Sequence, residues 1–248
     1  MNILFFIHCA SVAVFLSLMV FILARDFRSP VHRAVAATMF CFALWSFSLI
    51  FIHNPLASMD TVIFYYNVGV IGWATFGSCT LYFVLQLTQN YRWLNTKWLR
   101  AVMVAWPIAI VALQWRGWLA KDYILRSWGW GYQWTDSPLA FAFYLSYVFF
   151  IGLTIDFLYD FSRETTDKDQ KAQLRIIVYT AIISLALGIL TDVLLPILNI
   201  YSLPNMAPDF VVIWAFGSVY AVVKEKLRIK KRDRDLAELN SELGRARE

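Results

Sequence analysis

Seven apolar segments, each close to the length that crosses a bilayer, limit what this chain can fold into. They fall at about residues 2–24, 34–53, 61–88, 98–115, 137–159, 172–198 and 207–225, and the connections between them are short and polar. A helix spans the hydrocarbon with roughly 20 apolar residues, because in lipid every backbone N–H and C=O must be satisfied within the segment itself. The third segment is long enough to tilt or to run past the membrane. Composition agrees: 60% of the 248 residues are hydrophobic and 16% are charged, where soluble domains run near ~45–50% and ~25%. The sequence therefore predicts an all-α, polytopic seven-transmembrane helix bundle. Pro107 and Pro196 lie inside spans and are expected to kink them; Pro138 and Pro208 lie near span starts, where proline is tolerated.

The basic residues set an expected orientation. The first, third and fifth connections and the C-terminal tail hold 19 of the 22 Lys and Arg residues, and Arg116, Lys121 and Arg126 are the other three. By the positive-inside rule the N-terminus is outside and the C-terminus is in the cytoplasm. Met1 and Asn2 lead straight into an apolar run, with no basic stretch before it and no small-residue cleavage motif, so the first span is expected to be retained.

The end of the chain carries a second pattern. Beyond the apolar run Asp209–Val223, residues 224–234 hold seven Lys or Arg in eleven positions. Ile229, Leu236 and Leu243 are seven apart, with Leu239 in the intermediate seam position, so a helix leaving the membrane is predicted to begin a coiled coil. No Gly or Pro interrupts it between Gly217 and Gly244. The domain boundaries expected are a sensor bundle at residues 1–225 and a cytoplasmic linker at 226–248, which would pair as a parallel homodimer. The basic residues would sit among anionic lipid headgroups at ~1 kcal/mol per charge. Such a chain reads as the input half of a signalling protein, with an output half expected to follow.

Read together, these features resemble the N-terminal seven-transmembrane sensor region of bacterial histidine kinases and diguanylate cyclases, over about residues 1–230. The stretches that carry the resemblance are Trp73 through Tyr91 running to Trp106-Pro107, and Gln173-Leu174-Arg175 opening the sixth span. Asp192-Val193-Leu194-Leu195-Pro196 follows, with Pro204 and Pro208 beyond it, and then Gly217-Ser218-Val219-Tyr220 before the basic exit. The resemblance implies an extracytoplasmic input, a multi-pass location in the bacterial inner membrane, and a cytoplasmic enzyme joined through a linker helix. It supplies no ligand.

Chemistry-bearing motifs are sparse. No nucleophile elbow, zinc-protease, Walker or dinucleotide-binding signature occurs. Cys9, Cys41 and Cys79 all fall in apolar runs without the spacing of a metal site or disulfide framework. The +5 formal charge resides in loops and tail rather than on one soluble face, which argues against nucleic acid. No cofactor is expected, and the chain as given reads as a receptor rather than an enzyme. Lys224 stands at the cytoplasmic end of the seventh span, away from where a retinal Schiff base would form. His8 and His53 both fall near the outer surface, where an interfacial histidine is more often a hydrogen-bonded bystander.

An ionisable residue within a span costs at least ~2.5–3.5 kcal/mol to bury and so points toward function. Asp192 is the foremost, either as the polar anchor of an outward-opening pocket or as a helix–helix hydrogen-bonding residue. Asp156 is expected at the cytoplasmic edge, paired with a basic loop residue. Between Trp115 and Trp134 lie five tryptophans, two tyrosines and the three outer basic residues. This segment reads first as an aromatic belt on the membrane surface, and alternatively as a lid; Trp128–Tyr132 alternates rings with glycine as a strand or a tight hairpin would. The ligand-binding candidates are therefore Asp192 with Trp130 and Trp134 in this loop, Tyr65, Tyr66 and Asn67 in span three, Tyr144 and Tyr147 in span five, and Trp214 in span seven. They would enclose a small molecule or a lipid in an aromatic-walled cavity. The rival reading is a small-solute transporter or channel, for which an internal repeat and matched broken helices would be expected; the sequence has neither.

Overall fold

Four of the helices begin at residues whose side chains cap them. In the computed structural model, which describes residues 3–135, 137–195, 198, 200 and 202–224, α1 (Ile3–Arg25) is followed by α2 (Pro30–Ile52) and α3 (Met59–Leu87). The short α4 (Tyr91–Leu94) and α5 (Lys97–Trp115) come next, then a hairpin of β1 (Ala120–Arg126) and β2 (Gly129–Trp134). α6 (Pro138–Glu164) and α7 (Lys168–Ile189) follow, and α7 runs on through a π-helical turn at Leu190–Leu194. A last helix, α8 (Ala207–Lys224), completes seven helices long and apolar enough to cross a membrane. The Ile229, Leu236, Leu239 and Leu243 heptad, the basic run past Lys224 and the Pro196 kink lie outside the described residues.

Ser29, Ser58 and Ser137 each accept a backbone N–H of the first turn that follows them, and Pro30 and Pro138 occupy the first helical positions. Asp167 does the same for α7, accepting from Asp169 and Gln170. These caps satisfy amides that have no intrahelical acceptor. They carry the second and sixth spans several residues into what hydropathy alone assigns to the connections.

Between helices in lipid the hydrophobic effect gives little, since lipid chains are as apolar as leucine, so close packing and small residues decide which helices meet. α3 is the central element, packed against α2, α5 and α6. Gly72 lets it approach α2 closely: a Cβ there would run into the Cys41 carbonyl and Trp45. At the same crossing Cys41 Sγ and Cys79 Sγ are 3.8 Å apart. Phe42, Phe76, Phe83 and Trp214 form the ring-on-ring centre of the core. α6 is seated differently. Only 17% of its span is buried, against 67% for α3, so α6 leans on the bundle and turns most of its surface outward. α5 continues through Pro107, which is buried.

The hairpin folds onto one end of the bundle. Trp130 Nε1 donates to the Ala57 carbonyl at 3.1 Å, and Gln114 exchanges two hydrogen bonds with the backbone of Ala120. Gly129 adopts φ +136° with the His53 backbone directly beneath it, a position where a side chain would be both strained and obstructed. The loop tryptophans divide accordingly. Trp115 and Trp118 are exposed, as an interfacial belt requires, while Trp128, Trp130 and Trp134 turn inward.

Candidate ligand site

Residues that recur at three- and four-residue steps share one side of a helix. Tyr144, Tyr147, Ile151, Thr154, Ile155 and Leu158 do so on α6, and Ile177, Ala181, Ser184, Gly188 and Asp192 do so on α7. The two stripes face each other across a cavity of about 220 Å³. Trp45 of α2, Trp73 and Phe76 of α3 and Trp214 of α8 close its inner wall, and Tyr132 and Trp134 of the hairpin cover its end. Trp134 stacks on Phe143 at 5.3 Å and meets Trp73 edge-on, which joins the hairpin to α6 and α3.

The threonine and serine hydroxyls of the wall are already engaged. Thr80 and Thr154 donate to carbonyls one turn back, and Ser184 donates to the Phe210 carbonyl of α8 at 2.9 Å. The remaining polar character of the cavity lies in Asp192 and the phenols of Tyr132, Tyr144 and Tyr147. Asp192 Oδ1 accepts from Thr191 Oγ1 at 2.7 Å, from Met206 N at 2.9 Å and from Ala207 N at 3.2 Å. A carboxylate at the first amides of a helix satisfies orphan donors and complements the helix dipole. Asp192 therefore ties the end of α7 to the root of α8 while remaining half-buried at the cavity wall. The helix–helix hydrogen-bonding role offered by the sequence is met here, and the side chain also stands at the cavity wall.

Of the nine candidates read from the sequence, Asp192, Trp134, Tyr144, Tyr147 and Trp214 line the cavity. Tyr66 stands one layer behind it, its ring 4.6 Å from Tyr132 and 5.6 Å from Tyr123. Tyr65 lies off the cavity, stacked flat on Phe51 at 3.5 Å. Asn67 contributes only its carbonyl, which accepts from Trp115 Nε1 at 2.9 Å, and Trp130 is engaged with Ala57. Sequence reasoning missed Trp45, Trp73, Tyr132 and Phe143. Of these, only Tyr132 belonged to a segment marked as a possible lid. Asp156 is exposed on α6 and makes no ion pair among the described residues.

A second polar cluster holds the root of α8 from the opposite side. His8 Nδ1 of α1 lies 2.9 Å from Asp209 Oδ2, and His8 Nε2 lies 2.7 Å from Nδ1 of His53, the residue that follows α2. All three side chains are buried, and Trp128 covers His53 edge-on at 5.1 Å. The two rings share one hydrogen bond whose donor depends on the tautomer, and the Asp209 carboxylate lies close to the other nitrogen of His8. The atoms run in line instead of converging on a point, and among the described residues no group of three His, Cys, Asp or Glu is placed to hold a metal ion.

Seven crossing helices around a laterally set cavity define a multi-pass membrane protein. The chain belongs to the family of the N-terminal 7TM region of histidine kinase, whose model matches residues 7–227. No curated protein matches it at a significant level.

Proposed function

We propose that this chain is the input module of a signalling protein, in which a small-molecule or lipid ligand in the α3–α6–α7–α8 cavity biases the bundle between two arrangements. α8 carries that bias through the basic run into the Ile229, Leu236 and Leu243 seam of a homodimer. Beyond the seam stands a cytoplasmic output domain, a histidine kinase or a diguanylate cyclase. The N-terminus is outside and the C-terminus in the cytoplasm of a bacterial cell, in its inner membrane. Family membership supports a receptor role for this region. The observation that carries the mechanism is the fastening of α8 by its first turn, to Asp192 at the cavity and to His8 through Asp209. A ligand that moves Asp192 acts directly on the helix that leaves the membrane. Switching needs a differential affinity of only a few kcal/mol between the two states.

The test uses cell membranes containing the chain. Leu236→Cys should cross-link between two copies, and Asp192→Ala, which unfastens α8, should change that yield. An unchanged yield would remove the proposed route. Ser58→Cys should react with an impermeant maleimide from outside the cell and Ser162→Cys should not; labelling of both would overturn the orientation. Selective solute uptake by liposomes containing the chain would restore the transporter reading.

A further inference from the structure

The lining of the cavity reaches the protein surface between α6 and α7. Ile155 of α6 and Ile182 and Ile189 of α7 line it, yet they are 46%, 52% and 42% exposed. All three sit within membrane-crossing helices, so the gap between α6 and α7 faces the acyl chains rather than water. The thin seating of α6 leaves this gap.

The chemistry inside is one-sided. Beside the single carboxylate of Asp192, the phenols of Tyr132, Tyr144 and Tyr147 line the same cavity. No Lys, Arg or His lines the cavity among the described residues, and Arg116, Lys121 and Arg126 of the hairpin region are absent from its walls. An anionic head would meet a carboxylate with no counter-charge, the arrangement that like-charge repulsion penalises most. A hydroxyl or ammonium would meet an acceptor. Volume adds a second constraint: about 220 Å³ is below the ~300–1,000 Å³ of sites that enclose an ordinary small molecule, so a longer occupant has to leave part of itself in the gap.

We infer that the cavity takes an amphiphile with a hydrogen-bond-donating head, uncharged or positive, which enters from the bilayer between α6 and α7 and leaves its apolar tail there. The head sits against Asp192 and the three phenols, and the first part of the tail lies along Trp45, Trp73 and Trp214. This identification of the ligand class rests on the ligand-cavity reading above.

Photo-cross-linking of the whole chain in phosphatidylcholine nanodiscs separates the two levels. The probes are dodecanol, dodecylamine and dodecanesulfonic acid, which stays ionised, each with a mid-chain diazirine, and adducts are mapped by mass spectrometry. The alcohol and the amine should label peptides holding Ile155, Ile182 and Trp214 at least about tenfold more than the acid does. Ile182→Trp, which plugs the gap from the exposed side, should abolish those adducts and leave adducts at lipid-facing Val20 unchanged. Asp192→Asn should narrow the preference of the amine over the acid. If the acid labels the cavity as strongly as the alcohol, the ligand class is wrong and the cavity reading survives. If no probe labels the cavity above Val20 and Ile108, the cavity reading itself falls.

Discussion

His8 Nε2 and His53 Nδ1 stand 2.7 Å apart in the interior, joining the first helix to the residue that ends the second. Burial, and then the neighbouring His8, hold the His53 imidazole well below the usual histidine range. The groups that face this pair are Asp209 of α8 and the Trp128–Gly129 corner of the hairpin.

The sign of the pH dependence follows. The folded protein keeps His53 neutral, whereas the unfolded chain protonates it near pH ~6.5, so the unfolded state binds the extra proton and stability falls as pH drops below ~6.5. The loss approaches about 1.4 kcal/mol per pH unit for one such group. Thermal unfolding in nanodiscs between pH 8 and 5 should show it, and His53→Gln should flatten the acid side of the profile. An acid limb of equal slope in the variant would assign the effect elsewhere.

Asp192→Ala leaves the Met206 and Ala207 amides at the root of α8 without their acceptor, whereas the Thr191 hydroxyl retains the Leu187 and Gly188 carbonyls. The expected cost is about 1–3 kcal/mol, and Asp192→Asn, which keeps one acceptor oxygen, should lose less. Hydrogen exchange at Met206 and Ala207 should quicken in the order wild type, Asn, Ala. Equal protection in all three would mean the carboxylate does not fasten that turn.

At the hairpin corner, Gly129→Ala places a methyl group against the His53 backbone in a conformation that favours glycine. The hairpin should lift from the bundle, seen as faster exchange across β2 and as easier proteolysis at Ser127. Trp130→Phe removes the hydrogen bond to Ala57, worth about 0.5–1.5 kcal/mol, and part of the ring packing while leaving the Gly129 approach intact, so a smaller effect is expected. Were the two variants indistinguishable, the close approach at Gly129 would not govern docking.

Gly72→Val drives a side chain into the Cys41 carbonyl and Trp45, an overpacking that costs about 1–3 kcal/mol. It should also spread the crossing where Cys41 and Cys79 meet. Mild oxidation should join those two sulfurs in the native chain and join them poorly in the variant, read as a two-hydrogen mass difference in intact protein.

The spans were legible because hydropathy and length are properties of contiguous sequence, and α3, read as 61–88, is found at Met59–Leu87. Azimuth was not legible. α3 is apolar on every side, so no polar stripe distinguishes inward from outward; Tyr65 and Tyr66 both look like wall residues, yet one stacks on Phe51 and the other is buried behind the cavity. Asp192 was legible because a lone carboxylate in a span must find partners. Its partners were not, because Met206 and Ala207 reach it only through the return of the chain. His8 and Asp209 are 201 positions apart, and no local pattern joins them.

The π-helical turn at Leu190–Leu194 holds Asp192 inside it. A wide turn of this kind contains one residue more than α geometry accommodates, and each residue of an α-helix advances the side chains by about 100°. Tightening the turn by one step would swing the carboxylate off the Met206 and Ala207 amides without breaking α7. The extra residue in the turn is thus what keeps the clasp on the exit helix within reach.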